Sequence, residues 1–230
     1  MATVTATAPK LGGEDRFVIP QVDWEGYERI YELCDRKGIR VTYDRGRLEL
    51  MTPWPIHEQH VTCLSFIVLA TCEELSIPCP GGGSTTFRSR AKERGIEPDS
   101  CYFLKNLERL RPLTNGPWNS TTDPSPDLAI EVDMTSSSLD RLGIYAALGV
   151  GEVWRFNGET LTAHRPLADG SSTTESQNTL FPWLPFEDVV DRVLEYTRPQ
   201  DLIWKRSIRT WLRDKIGPRR DAFVEGINNP

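Results

Sequence analysis

The chain has 230 residues, 38% hydrophobic and 26% charged, with a formal net charge of −6. One core of that length can bury around 70% of the unfolded surface, as a soluble globular protein does. No charge-free apolar run reaches the roughly 18 residues a membrane span needs, which excludes a spanning helix and leaves no membrane partner expected.

The first residues, MATVTATAPKLGGEDRF, have no charged start followed by a hydrophobic segment, so they read as a frayed tail and not as a secretory signal. The expected organisation is a flexible tail over 1–21, one domain over 22–216, and a C-terminal tail over 217–230. Five cysteines, Cys34, Cys63, Cys72, Cys79 and Cys101, form no CxxC pair. That argues against a disulfide framework or a zinc ribbon and makes a reduced, cytoplasmic setting the expectation.

Val22 to Cys34 puts Trp24, Tyr27, Ile30, Tyr31 and Cys34 on one helical face, with Asp23 as N-cap. Ile39–Tyr43 and Leu48–Met51 then flank Asp44-Arg45-Gly46-Arg47 as a β-hairpin. Glu49 lies inside its second strand, either facing outward on an edge or into an acidic pocket. Ile56 to Ser76 is apolar on most sides and predicts a buried central helix. His57 and His60 fall in its first turn, where the lack of a third nitrogen or sulfur ligand argues against zinc. Gly81 to Thr86 lacks the GK[ST] ending of a phosphate loop and reads as a turn leading to a strand at Phe87. Gly95 to Leu104 reads as one strand carrying Glu97 and Asp99.

The stretch Ser125 to Phe156 parses as strand, turn, helix and strand. Leu128, Ile130 and Val132 alternate with Asp127, Glu131 and Asp133, giving one apolar and one acidic face. Ser137 or Ser138 is the expected cap of the helix bearing Leu142, Tyr145 and Leu148, and Gly149 its left-handed end. The short crossover predicts a second strand, Val150–Phe156, parallel to the first. Glu131 and Asp133 project from one side about 7 Å apart, whereas Asp127 lies roughly 13 Å from Glu131. The acidic face is either a solvated surface or a divalent-metal site. Antiparallel pairing of Asp99–Leu104 with this strand would bring Asp99 to Glu131 and Asp133, and leave Asp127 at the far end.

Asn157-Gly158 predicts a turn into a strand over Thr160–Arg165, followed by a short strand over Thr179–Leu184 and a helix from Pro185 to about Tyr196. From Trp204 to Arg220, seven basic residues against one Asp give a local +6 and leave −12 elsewhere. A solvated amphipathic helix explains this run better than a phosphate-contacting surface does.

Four segments together, YDRGRLELMTPWPIHEQH, GGGSTTFR, GIEPDSCYF and PDLAIEVDMTSSSLDRLGIYAALGVGEVWRF, resemble the Uma-type restriction-endonuclease family. This is a branch of the PD-(D/E)XK nuclease superfamily, and the resemblance runs from about Asp23 to Trp211. It implies an α/β (α+β) restriction-endonuclease-like core, a mixed β-sheet flanked by helices. It also implies a Mg²⁺- or Mn²⁺-dependent endonuclease that hydrolyses DNA phosphodiester bonds. By position the family's acidic residues fall on Glu49, Asp99, Asp127 and Glu131, with His57 and Asp133 at the rim and Asp99, Glu131 and Asp127 as metal ligands. The residues' own spacing places Asp127 farther away.

The superfamily motif has a lysine two residues after the glutamate, where this chain has Asp133. Family members place a lysine on the following helix instead, four before the tyrosine, and here that position is Arg141. Arginine steadies charge on a phosphate but does not serve as a general base. The alternative to a nuclease is therefore a non-catalytic DNA- or protein-binding module that keeps the fold. A homodimer is expected only by analogy with enzymes that cut both strands.

Overall fold

The computed structural model describes residues 14–34, 38–105, 107–110, 117–135, 137–167, 169, 171–175 and 179–216. The expected tails over 1–13 and 217–230 lie outside these residues. The fold is mixed α+β, and the described residues form two five-stranded sheets and five α-helices.

The first sheet contains β1 (Glu14–Pro20), β2 (Arg40–Asp44), β3 (Arg47–Pro53), β4 (Phe87–Ser89) and β5 (Arg94–Ile96). They lie in the order β1-β3-β2-β5-β4, antiparallel throughout. The second contains β6 (Ser100–Tyr102), β7 (Leu128–Val132), β8 (Glu152–Phe156), β9 (Leu161–Pro166) and β10 (Ser172–Glu175). Its order is β10-β9-β8-β7-β6, and it is mixed because β7 and β8 run parallel. The helices are α1 (Trp24–Cys34), α2 (Pro55–Leu75), α3 (Arg141–Leu148), α4 (Phe186–Leu194) and α5 (Asp201–Ile216).

α2 is apolar on most sides because it packs on most sides. Leu64, Ile67 and Val68 join Ile130, Val132, Trp154, Val189, Ile208 and Leu212 in the largest core, which α4 and α5 close. The opposite face of the second sheet is covered by α3, whose Ile144, Tyr145 and Leu148 pack with Ala129, Val153, Phe87 and Ile96. β7 is thus buried on both faces. Its acidic side is not solvated: Glu131 is 3% and Asp133 2% exposed.

Several sequence expectations change. Residues 14–20 belong not to a tail but to β1, paired along its length with β3 (Glu14↔Pro53 to Pro20↔Arg47). The alternation that marks a half-buried strand is weak here, since Phe17 to Pro20 are all exposed. The stretch 95–104 is divided, with β5 in the first sheet and β6 in the second. Glu97-Pro98-Asp99 links them, because Pro98 has no N–H to give a ladder. Asp140, not Ser137 or Ser138, caps α3, accepting from the Gly143 amide at 3.0 Å. Gly149 takes φ +81° at the other end, as expected. Thr179–Leu184 forms turns, with Phe181 and Leu184 buried in the core.

The basic face of α5 is largely paired within the chain: Arg209 to Glu73 (2.7 Å), Arg213 to Glu74 (3.0 Å) and Lys215 to Asp188 (2.8 Å). Among the described residues, no helix is long and apolar enough to cross a membrane.

Candidate active site

The two sheets meet at the C-terminal end of β7, and a cluster of buried charged residues converges there. Register explains the meeting. β6 pairs antiparallel with β7, Ser100 opposite Ile130, so the residue before β6 faces the end of β7. Asp99 accepts the Val132 amide at 2.7 Å through Oδ2. His57 enters from the first turn of α2, its Nε2 3.2 Å from Asp99 Oδ2 and 3.0 Å from the Val132 carbonyl. Arg40 of β2 reaches Asp99 Oδ1 at 3.1 Å.

Glu131 points to the α3 side. Arg141 is the first residue of α3 and places Nη2 2.8 and 2.7 Å from the two Glu131 oxygens. Tyr145, one turn further on the same helix face, donates its hydroxyl to Glu131 Oε1. Arg141 Nη1 donates to Thr42 Oγ1 at 2.8 Å and lies 3.5 Å from Glu49 Oε1. Glu49 of β3 is buried; it accepts from Ser137 Oγ at 2.8 Å and from Arg16 Nη1 at 2.7 Å.

Arg16 of β1 completes the cluster. Its guanidinium also lies 2.8 Å from Glu14 and 3.1 Å from Asp133. Arg155 of β8 holds the other Asp133 oxygen, its Nε at 2.9 Å. Glu14 Oε1 accepts from the Thr135 amide (3.0 Å) and hydroxyl (2.8 Å), tying β1 to the turn after β7.

Burial and charged neighbours compete over the titration of His57, Asp99, Glu131 and Arg141. Burial pulls the His57 imidazolium down, but the bond to Asp99 and the carboxylates of Glu58, Asp99 and Glu14 push its pKa to about 9. Burial raises Asp99, yet His57, Arg40 and the Val132 amide together hold it below the ordinary range. Glu131 is pushed up by burial against the opposing pull of Arg141. Burial works against the Arg141 charge, and Glu131 more than compensates, so that pKa rises well above its usual value.

The structure therefore brings together Asp99, Glu131, Glu49, Asp133, His57 and Arg141. It does not bring in Asp127, whose carboxylate accepts the Leu104 and Lys105 amides at 2.7 and 2.9 Å, at the opposite end of β7. Asp127 is too remote to bind an ion with Glu131 and closes the turn after β6. Sequence reasoning missed Glu14, Arg16, Arg155 and Tyr145. The helical spacing of Arg141 and Tyr145 was a signal for the last of these; Arg16 had none, because its strand was assigned to a tail.

A cavity of about 110 Å³ opens on this centre, lined by Glu131, Asp133, Ser137, Arg141, Tyr145 and Arg155. A second, of about 450 Å³, lies on the far side of Arg40 and includes Tyr31, Glu58, Ser84, Thr86 and Glu97.

A divalent ion needs carboxylate oxygens with free lone pairs converging within about 2–2.6 Å of one point. Here both Glu131 oxygens face one guanidinium nitrogen, both Asp133 oxygens face arginines, and Glu49 is shared by Arg16, Ser137 and Arg141. Among the described residues, no group of three or more His, Cys, Asp or Glu side chains is placed to hold a metal. The donor set in this arrangement does not fit such an ion.

The Uma2 family profile, described as “Putative restriction endonuclease”, matches residues 24–196. A crystal structure of a “putative nuclease belonging to DUF820” from Anabaena variabilis is similar at 16% identity and a TM-score of 0.47. That similarity covers 66% of this chain and 90% of the other. No curated protein matches the chain.

Proposed function

This chain belongs to the Uma2 family, and from that membership we propose that it is a nuclease hydrolysing DNA phosphodiester bonds at the centre built on Asp99 and Glu131. The observation that carries the reading is the convergence of those two buried acids, Asp99 just before β6 and Glu131 in the neighbouring β7, with a small cavity on the Glu131 side that Arg141 and Arg155 help to line. Arg155, 37% exposed, stands at the mouth of that cavity. Arginine forks suit the charge that develops on a phosphate in transfer. Mg²⁺ or Mn²⁺ is the ion the family resemblance implies, and the resting donor set does not fit it.

The second reading is a DNA- or protein-binding module without catalysis. Arg141 favours it, because it grips both oxygens of Glu131 where the family places a lysine.

Supercoiled plasmid incubated with the purified protein, with Mg²⁺, Mn²⁺ or EDTA, separates the two. The nuclease reading expects nicking by the wild type that Glu131→Ala and Asp99→Ala abolish. Salt-sensitive DNA binding with no nicking in any of the three conditions refutes it and leaves the binding module.

A further inference from the structure

We propose that the acidic centre carries its own cations: Arg141 and Arg16 occupy the places a divalent ion would take, and the resting protein retains no such ion there. This deepens the nuclease reading's site, although it rests on the geometry of the centre and not on cleavage.

Charge is the first argument. Five carboxylates meet at the sheet junction, from Glu14, Glu49, Asp99, Glu131 and Asp133, and all are at most 5% exposed. Facing them are four guanidiniums, those of Arg16, Arg40, Arg141 and Arg155. A buried acidic cluster attracts a hard cation through carboxylates left without a counter-charge, and each of these five already faces a guanidinium.

Geometry is the second. Arg141 Nη2 sits between the two Glu131 oxygens at 2.8 and 2.7 Å, on the bisector a bidentate cation would take. Arg16 spreads two nitrogens among Glu49, Glu14 and Asp133 at 2.7, 2.8 and 3.1 Å. A planar fork holds those oxygens farther apart than a single ion could, since hard cations need every ligand within about 2–2.6 Å. The carboxylates are thus set at guanidinium spacing.

Removing Arg141 takes one positive charge from the centre and frees Glu131 Oε2, leaving Oε1 only the Tyr145 hydroxyl, so that Glu131 becomes available to an ion that retains several waters. Mn²⁺ binding, read by the loss of the free-ion signal in electron paramagnetic resonance, tests this on the full chain without any assay of cleavage. The wild type is expected to show no saturable binding in the millimolar range. Arg141→Gln, which keeps much of the side-chain length, is expected to gain one site, and Arg141→Gln with Glu131→Gln is expected to lose it.

Tight one-to-one Mn²⁺ binding by the wild type that Glu131→Gln removes would overturn the proposal, and that measurement does not depend on any arginine variant folding. So would a folded Arg141→Gln, shown by an unchanged far-ultraviolet spectrum and a sharp unfolding transition, that gains no binding. The nuclease reading fails separately: a wild type that neither binds Mn²⁺ nor nicks plasmid sinks that reading and leaves this one standing.

Discussion

Replacing Arg16 with methionine keeps most of the side-chain volume and removes the one guanidinium shared by Glu14, Glu49 and Asp133. The arginine side chain is 9% exposed and the three carboxylates 0–1%, so the charges left behind cannot be taken up by water. Breaking a buried ion pair by deleting one partner costs about 3–5 kcal/mol. The three acids keep Thr135, Ser137 and Arg155 as partners, which places Arg16→Met near the lower end, at about 3 kcal/mol. For a chain of this size that corresponds to a fall in Tm of about 6–12 °C. Urea unfolding followed by tryptophan fluorescence measures the free energy, and scanning calorimetry the temperature. Arg213→Ala, which breaks a pair whose arginine is 63% exposed, is the control and should change stability by less than about 1 kcal/mol. If Arg16→Met loses no more than that control, β1 is not held by the centre and the account of it is wrong.

Two further outcomes follow from the same geometry. His57 faces Glu14, Glu58, Asp99, Arg40 and His60, and its pKa is raised from 6.5 to about 9. A raised folded-state pKa stabilises fully below the unfolded value and is lost as pH climbs through the folded one. Urea midpoints should therefore decline between about pH 6.5 and 9 by the equivalent of about 3 kcal/mol. His57→Gln should flatten that decline, and a variant that keeps the full slope would show that the loss arises elsewhere. Asp127→Ala removes the acceptor of two turn amides and should cost about 1–3 kcal/mol in urea unfolding. Plasmid nicking below the unfolding range should be unchanged; its loss would return Asp127 to the site.

Legibility in the sequence followed range. The stretch from Leu128 to Phe156 was readable because every element in it is local: period-2 alternation in β7, apolar spacing in α3, Gly149 at its end, and a single crossover helix between two strands, the connection a parallel pair needs. Asp99 was placed beside Glu131 by pairing alone, since antiparallel neighbours leave few registers. Arg16 was not legible. Its partners Glu49 and Asp133 lie 33 and 117 residues away in sequence, and a strand whose last four residues are exposed carries no alternation to declare it. The identity of β7's acidic face was undecided for a related reason. Whether a strand face meets water or a helix depends on what packs over it, and α3 covers it with an arginine and a tyrosine, two residues a composition argument would place outside.

β6 is only three residues long, and its ladder with β7 stops at Ser100↔Ile130. Beyond that point the backbone of Val132 would be an open edge: its N–H meets the Asp99 carboxylate and its carbonyl the His57 ring. Two side chains thus finish a strand that the chain does not supply. They act as a stopper against any foreign segment that would add itself to the sheet. The same two groups sit in the acidic centre, so a mutation meant to silence chemistry at Asp99 also unstoppers the sheet, and loss of activity in such a variant has to be weighed against self-association of the protein.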